Sequence, residues 1–143
     1  MKSFASVLLP PATRHIEAVC REVLEPHRLD EDDIESIRSH HWDYWYLPSG
    51  SPLGDRELAE RFPEESPKIL ENAAHLRNLP DDYETSAVIS TDLGWVDLQD
   101  EGWRMMDGNS RNNRQAIERW ESRVKELFAE RPDHICVRVV LHG

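Results

Sequence analysis

Hydrophobic positions along the chain change period several times, and each change marks an element. Phe4 to Leu9 is a short apolar run broken by Pro10-Pro11, the length and ending of a buried strand. Thr13 suits a helix N-cap. Ile16, Val19, Cys20, Val23 and Leu24 then recur as one apolar stripe of a helix that Pro26 ends. Leu29 to Ser39 is acidic, with Ile34 and Ile37 able to face inward from a short helical turn. In Trp42-Asp43-Tyr44-Trp45-Tyr46 a strand would place Asp43 and Trp45 on one face. Asp55 to Ala74 is helix-prone, split by Pro63 and Pro67. Tyr83 to Thr91 reads as a strand, Asp92-Leu93-Gly94 as a hairpin turn and Trp95 to Leu98 as the return. Ile117, Trp120, Val124, Leu127 and Phe128 give an amphipathic helix over about 111–130, with a comparatively basic outer face. Ile135 to His142 is the last strand. Its odd-numbered residues are all apolar and its even-numbered face is mixed.

The resulting order is β–α–(insert)–β–β–α–β. It predicts one α+β domain over 1–143, with a partly helical insert around 29–80. The expected fold is a ferredoxin-like split βαβ sheet carrying two helices on one face. At 143 residues the chain can bury a sizeable core without a metal or disulfide staple. Five tryptophans argue against disorder.

Charge narrows the function classes. The net charge of −11 disfavours direct contact with nucleic acid or an anionic membrane and favours a partner with a basic surface. Asp81 to Glu101 is the most one-sided stretch, with seven acids and no Lys or Arg. Cys20 and Cys136 lie far apart, show no zinc-ligand or CxxC spacing, and read as buried reduced thiols of a cytoplasmic protein. The apolar run before Pro10 is too short for a signal peptide, and no segment has the length of a membrane span.

Candidate chemistry centres on the stretch His40 to Gly50, which holds four of the eleven aromatic residues, two adjacent histidines and a carboxylate. Trp and Tyr are enriched both in core plugs and in interface hot spots, so Trp42, Asp43, Tyr44 and Trp45 are binding candidates alongside Asp97, Asp100 and Glu101. A carboxylate buried among these rings would need a partner, and Arg138 on the mixed face of the last strand is one. The alternative is a small-ligand or nucleotide pocket, of a hydrolase for example, formed by His41, Asp43, Arg138 and His142. No catalytic set emerges: there is no nucleophile elbow, no phosphate-binding glycine loop and no helical His spacing for a metal, so neither metal nor cofactor is implied.

Several short stretches resemble a group of uncharacterised small proteins of bacteriophages and actinobacteria. They are Leu24-Glu25-Pro26-His27, Trp42-Asp43-Tyr44-Trp45, Thr91-Asp92-Leu93-Gly94-Trp95, Trp120, Pro132-Asp133 and the terminal strand ending at His142. Members usually continue after the aromatic stretch with Gly-Gly-Arg-Trp. Here Pro48 to Gly54 has neither the Arg nor the Trp. The resemblance implies an accessory protein of a mobile element and carries no mechanism with it. Composition and resemblance together lead to a non-catalytic acidic binding or inhibitor-type protein that engages a basic site on a macromolecular partner.

Overall fold

The computed structural model describes residues 2–29, 32 and 42–143. Its elements are β1 (Lys2–Leu9), α1 (Ile16–Leu24), β2 (Tyr44–Tyr46), α2 (Arg56–Arg61), α3 (Pro67–Glu71), β3 (Ala73–His75), β4 (Ala87–Ser90), β5 (Gly94–Asp97), α4 (Arg111–Ala129) and β6 (Ile135–His142). Local chemistry sets the helix starts. Asp55 caps α2 by accepting from Leu58 N, and Ser66 caps α3 ahead of Pro67. Ser110 caps α4 by accepting from Asn113 N. Helix α1 has no cap of its own. Its Ile16 N–H donates instead to the carboxylate of Glu65, 49 residues away, at 2.6 Å.

The strands form one mixed six-stranded sheet in the order β2-β6-β1-β4-β5, with β3 also on β6. Strand β6 is the spine. It runs antiparallel to β1 from Ile135↔Leu9 to His142↔Lys2. On its other side β3 pairs with residues 135–137 and β2 with residues 140–142, and Arg138 N donates to Asn72 O between them at 2.7 Å. The insert therefore supplies two short strands that together satisfy one whole edge of β6.

The α+β class stands, but the ferredoxin-like arrangement is corrected in two respects. A split βαβ unit keeps its two parallel strands apart with an antiparallel strand between them. Here β1 and β4 are direct parallel neighbours, through Ala5↔Ala87 and Val7↔Ile89, and β5 lies outside at the edge. Burial explains the order: all four residues of β4 are buried, whereas β5 is only half-buried along its length. The compact apolar Ala87-Val88-Ile89-Ser90 belongs inside, and Gly94-Trp95-Val96-Asp97 tolerates an edge.

The second correction concerns the helices, which lie on opposite faces of the sheet rather than on one. Val7, Leu9, Val137, Val139 and Leu141 pack with Ile16, Cys20 and Leu24 of α1 and with Leu58 and Ile69 of the insert. Leu8, Val88 and Cys136 point the other way and pack under Trp120 of α4. Central strands that are apolar on both faces need cover on both faces.

Candidate functional site

The aromatic stretch divides between core and surface. Trp42 is 5% exposed, and its indole N–H donates to Leu24 O at 2.8 Å, joining the end of α1 to β2. Trp45 is half-buried against the same core, with the Arg21 guanidinium 5.1 Å from its ring. Tyr44 and Tyr46 point to the other side and are exposed. Tyr44 stacks on His142 with ring centroids 4.6 Å apart, and Lys2 Nζ lies 5.5 Å from the Tyr46 ring.

Asp43 is not among the buried groups. The backbone bends there, its N–H donating to His142 O at 2.8 Å, so the strand alternation that would pair Asp43 with Trp45 is interrupted. The carboxylate turns to solvent, accepts from Tyr44 N at 2.8 Å and lies 2.8 Å from His142 Nδ1. The His142 hydrogen bond, with help from Tyr44 N, holds the Asp43 carboxyl below its ordinary range. Arg138 is not its partner. The guanidinium donates to Asn72 Oδ1 at 3.0 and 2.8 Å and to Ser51 O, tying β6 to the insert. Of the alternative pocket, then, Asp43 and His142 meet, Arg138 serves the scaffold, and His41 lies outside the described residues.

The acids of the hairpin are divided as well. Asp97 accepts from Gln99 N and Trp95 Nε1, and Asp100 accepts from Asp97 N, forming a capping box on the turn after β5. Glu101 pairs with Arg123 at 3.3 Å and with Arg119 at 3.8 Å on α4. Asp97 and Asp100 thus hold the turn itself, and Glu101 joins it to the outward arginines of α4. Asp81, Asp82 and Glu84 are different: they are exposed, and no other described residue pairs with them.

Those three acids edge an open groove of about 640 Å³ between α4 and the segment 79–86. Ile117, Trp120, Val124 and Phe128 line one wall, and Leu79 and Tyr83 the other. The α4 stripe is therefore wider than the sheet can cover. Ala116 and Trp120 are buried, while Ile117 is 37% exposed and Val124 and Phe128 are half-buried. Glu121 adds a fourth acid to the lining, against Lys125. The walls are held in place from below. Trp120 Nε1 donates to Thr85 O at 2.7 Å, and the Tyr83 hydroxyl meets Ser6 Oγ at 2.6 Å and Cys136 Sγ at 3.5 Å. Burial pushes the Cys136 thiol up to about 11 and the Cys20 thiol up to about 12, so neither presents a thiolate nucleophile.

Sequence reasoning missed one polar cluster. The Asp55 side chain is 1% exposed and accepts from Leu58 N, His75 N and Asn78 Nδ2 at 3.0, 2.8 and 3.2 Å. His75 Nδ1, at 2.9 Å, completes the set. Burial alone would raise the Asp55 carboxyl, but the two backbone N–H groups, Asn78 and His75 outweigh it and hold it below its ordinary range. Asp55, Glu57 and His75 bring potential metal-ligand atoms within 4.8 Å of one another. The Glu57 carboxylate, however, is taken by Arg77 at 2.7 Å, and both Asp55 oxygens already accept N–H donors. A cation would have to displace that set, so the cluster acts as a latch between the start of α2 and β3. The sequence marks Asp55 only as the start of a helix-prone stretch, and the approach of His75 comes from the tertiary fold.

A larger, shallower hollow of about 1010 Å³ lies between the first turns of α1 and residues 61–65, with Arg14, Arg21 and Arg61 beside Glu17, Glu64 and Glu65. The helix end that could hold an anion there is occupied by the Glu65 carboxylate. None of the described helices is long and apolar enough to cross a membrane. No family model, curated protein or solved structure matches the chain.

Proposed function

We propose that this is a non-catalytic binding protein that engages a basic, partly apolar site on a macromolecular partner through the groove between α4 and residues 79–86. One observation carries the reading. A firmly held apolar groove is edged by Asp81, Asp82 and Glu84, and no described residue neutralises these carboxylates. Apolar anchors desolvated inside a ring of complementary charge are the usual anatomy of a specific interface. The −11 net charge extends the attraction to long range. An accessory protein of a mobile element, which the resemblance implies, could use such a surface to mask a basic site on a partner.

This reading moves the contact acids away from Asp97 and Asp100, which cap a turn, and Glu101, which pairs with α4. Selection from a random peptide library on the immobilised protein tests it. Enriched sequences should combine Lys or Arg with apolar anchors and should lose binding to the Asp81→Lys/Asp82→Lys/Glu84→Lys variant. Enrichment without basic bias, or binding that survives the triple reversal in moderate salt, would reject the proposal. The small-ligand alternative has less support, because Arg138 is committed to Asn72 and Ser51 and does not meet Asp43.

A further inference from the structure

Resting on that reading, we infer that the occupant of the groove is a basic amphipathic α-helix, and not an extended segment. The argument starts from backbone hydrogen bonds. An extended peptide docks by adding to a free row of N–H and C=O groups, as at a sheet edge. Neither wall offers one of strand length. On the wall that faces α4, Asp81 and Asp82 lie in the turn that Tyr83 N closes. From Tyr83 to Thr85 the backbone groups without a partner among the described residues are Tyr83 O, both groups of Glu84 and Thr85 N. The α4 wall is a helix whose backbone groups bond within itself. On the facing wall, Pro80 has no N–H and its carbonyl accepts from Tyr83 N at 3.1 Å. Thr85 O accepts from Trp120 Nε1 at 2.7 Å, Ser86 O accepts from Leu98 N at 3.1 Å, and Ser86 N donates to Phe4 O at 2.9 Å.

A strand laid in this groove would leave most of its own backbone desolvated and unpaired, at a cost for each group. A helix brings its backbone bonds with it and needs only side-chain contact. The dimensions agree. From Ile117 to Phe128 the stripe advances eleven residues, about 16 Å at the helical rise, or about three turns. Residues at i, i+4, i+7 and i+11 of a docking helix span the same length and lie on one face. Asp81, Asp82, Glu84 and Glu121 ask for Lys or Arg on the flanks of that face, with Lys125 the single opposing charge in the lining.

The test uses three fluorescein-labelled designed peptides of about 18 residues and reads fluorescence anisotropy. The first carries Leu at i, i+4, i+7 and i+11 with Lys and Arg on both flanks. In the second, two central residues of the first become Pro, so that no helix spans the anchors. In the third, Glu replaces every Lys and Arg. The first should bind, and the second and third should bind at least about tenfold more weakly. The first should lose about tenfold or more on the Asp81→Lys/Asp82→Lys/Glu84→Lys protein, with circular dichroism confirming that the variant is folded.

If the proline peptide binds as tightly as the helical one and both respond to the charge reversal, the helical occupant is wrong while the groove reading stands. If binding of the helical peptide ignores the reversal, the groove reading itself falls. If the helical peptide does not bind at up to 100 µM (roughly the weak end of useful recognition), the inference is overturned, and the library selection then judges the groove separately.

Discussion

Asp55→Asn tests the physical account of the insert most sharply. The substitution conserves shape and keeps a good helix-capping residue, so it isolates the latch from the cap. The native carboxylate accepts on both oxygens: Oδ1 from Leu58 N, and Oδ2 from His75 N, His75 Nδ1 and Asn78. An amide must turn its NH₂ toward one of these sets of donors, whichever way it sits. The less costly turn, toward Leu58, loses that one bond to an ionised acceptor, at about 1.5 kcal/mol or more, and also the charge assistance of the three bonds at Oδ2, so the expected loss is about 3 kcal/mol. Against the ~5–15 kcal/mol that holds a typical domain, this is a large fraction, and it corresponds to a fall of about 6–12 °C in Tm.

Urea unfolding followed by tryptophan fluorescence measures the loss. Its pH dependence has a definite sign. The Asp55 carboxyl is held below its ordinary value in the folded chain. Its stabilisation is therefore fully present above the unfolded value of about 4 and is lost as pH falls through the folded value. The gap between wild type and Asp55→Asn should be constant from about pH 5 upward and should narrow in more acid solution. A loss below about 1 kcal/mol at neutral pH, or a gap that stays constant between about pH 5 and pH 3, would refute the latch.

Two further predictions separate core from surface in the aromatic stretch and fix the state of the thiols. Trp42→Phe leaves the buried carbonyl of Leu24 without its donor and should cost about 1–3 kcal/mol, whereas Tyr44→Ala on the exposed side should cost under about 0.5 kcal/mol. Equal costs in urea titrations would contradict the division. With the Cys20 and Cys136 thiols pushed up to about 12 and about 11, the native protein should be inert to a disulfide-exchange reagent at pH 8 and should titrate two thiols after unfolding. Rapid reaction of either thiol in the native chain would show that its burial is wrong.

The sequence by itself determined what short-range periodicity and capping encode. The α1 stripe from Ile16 to Leu24, the α4 stripe from Ile117 to Phe128, the break at Pro63 and Pro67, and the alternation of β6 between an apolar and a mixed face all follow from residues a few positions apart. Tertiary structure decided everything that depends on pairing across the chain. Periodicity does not say which strand of a hairpin lies inside, and the choice of β4 over β5 came from how fully each could be buried. Nor does it say which acids stay free: Asp97, Asp100 and Glu101 look like Asp81, Asp82 and Glu84 in sequence, yet Asp97 and Asp100 cap a turn and Glu101 meets Arg119 and Arg123. The same holds for the aromatic stretch, where a single backbone bend at Asp43 leaves Trp42 and Trp45 in the core and Tyr44 and Tyr46 in water. A residue's neighbours in sequence fix its local conformation, but the partners that satisfy its charge and cover its surface come from elsewhere in the chain.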